Sequence, residues 1–81
     1  MRIVKVYSKE KCMQCKMVKN WLTAHSVEFT EIDVTHDEEA LHELKSLGFT
    51  SLPVTYVDCD EYNGYIKGFD IVKLNQWLGE I

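Results

Sequence analysis

Hydrophobic positions in this chain alternate between two spacings. Ile3-Val4-Lys5-Val6-Tyr7 is β-branched and nearly continuous in apolar character. Such a run predicts a central strand covered on both faces. The spacing then becomes helical. Met17, Val18, Trp21 and Leu22 make one buried stripe of a helix running from about Cys12 to Ala24. Trp21 is read as core rather than as a ligand platform. Val27-Glu28-Phe29-Thr30-Glu31-Ile32-Asp33-Val34 alternates apolar and polar, which predicts a half-buried strand nearer the sheet's edge. Two strands joined by a helix imply a right-handed parallel crossover.

A second helix is announced by Thr35-His36-Asp37-Glu38. Thr35 and Glu38 fit a capping box, with Asp37 as the competing cap. Ala40, Leu41, Leu44 and Leu47 make its buried stripe, and Gly48 suits its stop. Pro53 then precedes the strand Val54-Thr55-Tyr56-Val57; a strand start is where a residue without a ladder donor belongs. Asp58 to Gly64 reads as a turn, with Asn63-Gly64 its strongest signal, and Tyr65 to Phe69 as the returning strand. Asp70 can cap a last helix packed through Val72, Leu74, Trp77, Leu78 and Ile81. The order is β-α-β-α-β-β-α: an α/β chain with a four-stranded mixed sheet and three helices. With 81 residues and no repeat, linker or low-complexity tract, residues 1–81 are expected to form one domain.

Composition narrows the function. At 46% hydrophobic and 27% charged residues the chain has enough apolar material for a core, so disorder is not expected. A net charge of −4 argues against nucleic acid. No run of about 18 apolar residues is available for a membrane span. Three cysteines, two of them three positions apart, do not make the framework of a stapled secreted domain. A reducing cytoplasm and a monomer are the expectation. Six of the nine basic residues (Arg2, Lys5, Lys9, Lys11, Lys16 and Lys19) precede residue 20, with Glu10 the one acid among them. That cluster flanks Cys12 and Cys15, where it would tune a thiolate or dock a partner.

Cys12-Met13-Gln14-Cys15 carries the chemistry. Residues three apart on a helix are neighbours, roughly 5–6 Å between Cβ atoms, so a small adjustment opens or closes a disulfide. The thiolate is the nucleophile, and a free cysteine with a pKa near 8.5 is only about 3% ionised at pH 7. Unpaired N–H groups at a helix start, the helix dipole and nearby lysines all favour the anion. Cys12, nearer the helix start, is read as the nucleophile and Cys15 as the resolving thiol. Half of a zinc site is the alternative. It needs two further Cys or His ligands, and only Cys59 and three scattered histidines remain. His36 and His42 read as exposed polar positions, His25 as the close of the first helix, and none has a partner suggesting catalysis or metal binding. Cys59 reads as a bland thiol at a strand end, with a regulatory disulfide as the sharper option.

The element order, the Cys-x-x-Cys after the first strand and the lone Pro53 before the third together resemble the thioredoxin fold in its short glutaredoxin-like form, over essentially the whole chain. Cys12-Met13-Gln14-Cys15 looks closer to NrdH-redoxins than to the Cys-Pro-Tyr-Cys of ordinary glutaredoxins. The resemblance implies a carrier reduced by thioredoxin reductase that delivers electrons to class Ib ribonucleotide reductase, with no metal or organic cofactor. It implies a cis Pro53 facing the disulfide and a Leu52 backbone that pairs with a bound peptide or glutathione. Met13 and Gln14, between the cysteines, join the partner-binding set. Gly68-Phe69 matches the Gly-Phe of the family's Trp-Ser-Gly-Phe, although Ile66-Lys67 replaces Trp-Ser and Thr50-Ser51-Leu52 replaces the commoner pairing before Pro53. A glutathione-dependent glutaredoxin is the nearest alternative. Lys9 stands at the lysine that takes the glutathione carboxylate, and Lys67-Gly68-Phe69-Asp70 partly matches the segment that holds its other end. An iron–sulfur or metal module sharing thiolates with a second chain is a further alternative, weakened by the missing ligand pair.

Overall fold

The computed structural model describes residues 2–79. Its elements run β1 (Ile3–Ser8), α1 (Met13–Ala24), β2 (Thr30–Asp33), α2 (Glu38–Ser46), β3 (Val54–Asp58), β4 (Asn63–Lys67) and α3 (Ile71–Leu78). The sheet order is β2-β1-β3-β4. β1 is parallel to β2 and antiparallel to β3, and β3 is antiparallel to β4. The expected mixed sheet, central β1 and edge β2 are all present.

Strand alternation splits the core in two. Val4 and Val6 of β1, Val57 and Ile66 pack with Val18, Trp21 and Leu22 of α1 and with Leu74 and Leu78 of α3. On the opposite face, Tyr7, Val34 and Val54 pack with Leu44 of α2. Helices therefore cover both faces, which is why β1 reads as a continuous apolar run.

Several expectations need correction. Met17 is 41% exposed, so the buried stripe of α1 runs through Cys15, Val18, Trp21 and Leu22 instead. Thr35 does not cap α2. Asp37 does, its side chain accepting from Ala40 N at 3.0 Å, because the helix starts two residues later than a Thr35 cap requires. Leu47 ends α2 half-exposed rather than buried. Gly48 fulfils its role with φ 92°, a left-handed conformation that costs glycine little. β2 is shorter than its alternating pattern, because Val27 N bonds Leu22 O and Val27 belongs to the exit of α1.

The hairpin also differs. Its loop is Cys59–Tyr62, and Asn63-Gly64 lies within β4, paired with Asp58 and Val57. A one-residue slip would turn Ile66 out of the core, so register is decided by burial rather than by turn propensity. Gly64 serves packing instead: a Cβ there would meet the Trp77 ring at 3.3 Å. In α3, Val72 is 71% exposed and does not pack. Ile81, expected to pack with it, lies outside the described residues.

Candidate active site

Lys11 has φ 56°, in the left-handed region. That costs a non-glycine residue roughly 1–2 kcal/mol. It turns the chain between β1 and α1 so that Cys12, with extended backbone, becomes the N-cap of α1 rather than its first helical residue. Cys15, the third residue of the helix, points inward and is 1% exposed. Cys12 is partly exposed. The two form a disulfide with Cα atoms 5.3 Å apart, within the ordinary range.

Cys12 Sγ takes the place that a serine or aspartate oxygen has in most caps. It accepts the Cys15 backbone N–H at 3.2 Å. The helix start thus directs an unpaired donor at the more exposed sulfur, and the first turn of α1 has no acidic residue. Lys9, Lys11 and Lys16 are exposed around it. Lys19 is not part of this field. Its Nζ bonds Glu31 Oε2 at 2.7 Å, a carboxylate that also accepts from Ser8 Oγ at 2.8 Å. These two donors hold the Glu31 carboxyl below its ordinary range.

Pro53 and Leu52 come to the sulfurs from β3. The Leu52–Pro53 bond is cis. Leu52 O lies 4.0 Å from Cys12 Sγ. Pro53 O accepts from Gly68 N at 2.8 Å, which ties the end of β4 to the same corner. Gly68 has φ 68°, and Gln14 Oε1 lies 3.5 Å from where its Cβ would be. Cys12, Cys15, Gln14, Leu52, Pro53 and Gly68 therefore meet at one end of the sheet. Met13 is 71% exposed beside them. Phe69 packs against the core, and Asp70 caps α3, accepting from Lys73 N at 3.1 Å.

Lys9 lies elsewhere at this corner. With Leu52 it lines a cleft of about 360 Å³ whose other walls are Val34, Thr35, Leu41, Leu44, Lys45, Phe49, Thr50 and Ser51. Sequence reasoning gave Leu41 and Leu44 to the core and did not single out Lys45 or Phe49. The available signal was Lys45 at the end of α2, four residues after Leu41 and so on the same helical face. His36 is exposed, as expected, and its Nε2 lies 3.2 Å from Glu10 Oε1. Among the described residues, Glu10, Asp33 and His36 are the one group of three potential metal ligands within 4.8 Å, and it includes neither active-site sulfur. Cys59 is at the far end of β3, its Sγ 3.3 Å from Tyr62 O.

The glutaredoxin family model matches residues 4–61. The chain belongs to the glutaredoxin family. It is 41% identical over 72 residues to the glutaredoxin-like protein NrdH of Lactococcus lactis subsp. cremoris, covering 89% of this chain and 99% of that one. A glutaredoxin-like 8.6 kDa protein in the rubredoxin operon of Clostridium pasteurianum is 32% identical over 73 residues, 89% of this chain and 96% of the relative. Among solved structures, the NrdH-redoxin of Escherichia coli, described as glutaredoxin-like with a thioredoxin-like activity profile, superposes with a TM-score of 0.78. It is 27% identical and the match covers 91% and 92% of the two chains. This glutaredoxin-family chain is a thiol–disulfide oxidoreductase of the thioredoxin fold, related to the NrdH proteins.

Proposed function

We propose that this chain is an NrdH-type dithiol carrier. It would be reduced by thioredoxin reductase and would reduce protein disulfides, that of class Ib ribonucleotide reductase first among them, in a reducing cytoplasm. The observation that carries the reading is the capping geometry: Cys12 Sγ accepts the Cys15 N–H at the start of α1 while Cys15 is buried behind it. After reduction, the Cys12 thiolate would keep that donor and attack a partner disulfide. One partner sulfur leaves as a thiol and a mixed disulfide forms. Cys15 then attacks Cys12 Sγ, releasing the second partner thiol and restoring the disulfide. Leu52 supports docking, because a partner segment laid beside it would bond main chain to main chain without demanding one sequence. Met13, Gln14, Pro53 and Gly68 would surround that segment. No metal or organic cofactor enters this scheme.

Glutathione dependence is the second reading, favoured by Lys9 beside Leu52 in one cleft. Against it, the Asp70 carboxylate is engaged as the cap of α3. Oxidised protein is incubated with NADPH and either thioredoxin reductase or glutathione plus its reductase. The carrier reading predicts sustained NADPH consumption in the first mixture and little in the second. The reverse pattern would establish the glutathione reading in its place.

A further inference from the structure

Among the described residues, two polar ones are buried, Ser8 and Thr55. The Ser8 hydroxyl bonds Glu31. The Thr55 hydroxyl, in a side chain with no exposed surface, has no hydrogen-bond partner among the described residues. Leaving a buried hydroxyl unbonded is destabilising, and a native structure needs a reason for it.

Topology places Thr55 in the same layer of the fold as Cys15. β3 is antiparallel to β1, and α1 returns from the end of β1, so β3 and α1 run the same way. Val57 packs in one cluster with Val18 and Leu22 of α1. Thr55 lies one strand repeat from Val57 toward the active corner, on the same face. Cys15 lies about one helical turn from Val18 in the same direction, on the same buried stripe. The row that holds Val57 and Val18 is therefore followed by a row that holds Thr55 and Cys15, just past Pro53.

Oxidation state changes what Cys15 requires. In the disulfide its sulfur carries no proton. Opening the bond leaves a buried thiol that needs an acceptor while protonated and a donor while it ionises to attack. A hydroxyl supplies both. We propose that Thr55 is a positioning residue for the reduced state, its hydroxyl unbonded while the disulfide is closed and bonded to Cys15 Sγ once it opens. The effect favours the dithiol. This inference rests on the carrier reading of Cys12 and Cys15.

The test is an equilibrium with the glutathione couple. Two glutathione thiols give up two electrons and two protons and join as glutathione disulfide. The Cys12–Cys15 bond breaks, and the same electrons and protons leave two thiols. Alkylation after equilibration reads the ratio. Loss of one net hydrogen bond of about 1 kcal/mol predicts that Thr55→Val disfavours the dithiol about fivefold, a shift of about 20 mV toward the disulfide. Thr55→Ser, which keeps the hydroxyl, should stay within about twofold of the unaltered chain. A threonine with only a structural role would affect both oxidation states alike and leave the ratio unmoved. An unshifted Thr55→Val, or a Thr55→Ser that shifts equally, overturns the proposal. Should the valine variant fail to fold, Thr55→Ala is read by the same criterion. An unaltered chain that never equilibrates with the couple overturns the carrier reading and this inference together; equilibration beside an unshifted variant overturns only the inference.

Discussion

At the scale of single residues, the site depends on unequal environments for two identical side chains. Cys12 caps a helix and is partly open to solvent, while Cys15 is closed in behind it. Cys12→Ser should abolish disulfide reduction. Cys15→Ser should retain the first attack and accumulate mixed disulfides, seen as a mass increase that a small thiol reverses; full turnover by that variant with protein substrates would contradict the two-thiol scheme. Gly68 is the other decisive residue. With φ 68° and its N–H on Pro53 O, it holds the β4 end against the cis peptide. Gly68→Ala should lower stability by about 1–2 kcal/mol through the left-handed cost alone, measured by urea unfolding. It should also slow reduction of protein substrates, because the corner it secures includes Leu52.

At the scale of elements, α1, α2 and α3 each begin on a side chain that takes a backbone N–H, though not always the one first suggested by the sequence. Asp37 and Asp70 are ordinary carboxylate caps. Replacing either by alanine should cost about 1 kcal/mol in denaturant unfolding. Asp37→Ala should leave the equilibrium between dithiol and disulfide unchanged, since α2 bears neither cysteine. The order of elements, the central place of β1, the edge place of β2 and the position of Cys12 and Cys15 at the start of α1 were legible because spacing and residue type encode them. Pro53 beside the disulfide was implied only by the resemblance to the thioredoxin fold. The misread positions share a cause. Asn63-Gly64 is a good turn, Thr35-x-x-Glu38 a good capping box, and Met17 an apolar residue at helical spacing. Each lost to a tertiary demand: Ile66 had to face inward, Asp37 was better placed, and the face of α1 that buries Cys15, Val18 and Leu22 turns Met17 outward. The walls of the Lys9 cleft were not legible, because they join α2 to the segment before Pro53 across the fold.

For the molecule as a whole, charge links α1 to the sheet edge. Glu31 of β2 joins Lys19 of α1 and Ser8 of β1. Those bonds hold its folded pKa below the ordinary value of 4.5. A lowered folded pKa stabilises the fold above the unfolded value, and that contribution is lost as pH falls through the folded one. The unaltered chain should therefore exceed Glu31→Gln in thermal midpoint at pH 7, and the gap should close at pH values below 4.5. The Glu31 side chain is 41% exposed, so solvent screening keeps the gap below about 1 kcal/mol. A gap that stays constant to pH 3 would show that the bridge contributes nothing through charge. Lys9, Lys11 and Lys16 are exposed near the helix start and bias the corner toward anions.

Disulfide exchange at this site depends on one sulfur being anionic near neutral pH, and thiolate absorbance measures that directly. The reduced Cys59→Ala protein is titrated from pH 4 to 11 while absorbance near 240 nm is followed, with Cys12→Ser as the reference. One thiolate should appear below the roughly 8.5 of a free cysteine and should be missing from the Cys12→Ser trace. If no thiol ionises below that value, or if the early step survives in Cys12→Ser, the helix start does not activate Cys12 and the carrier mechanism is wrong.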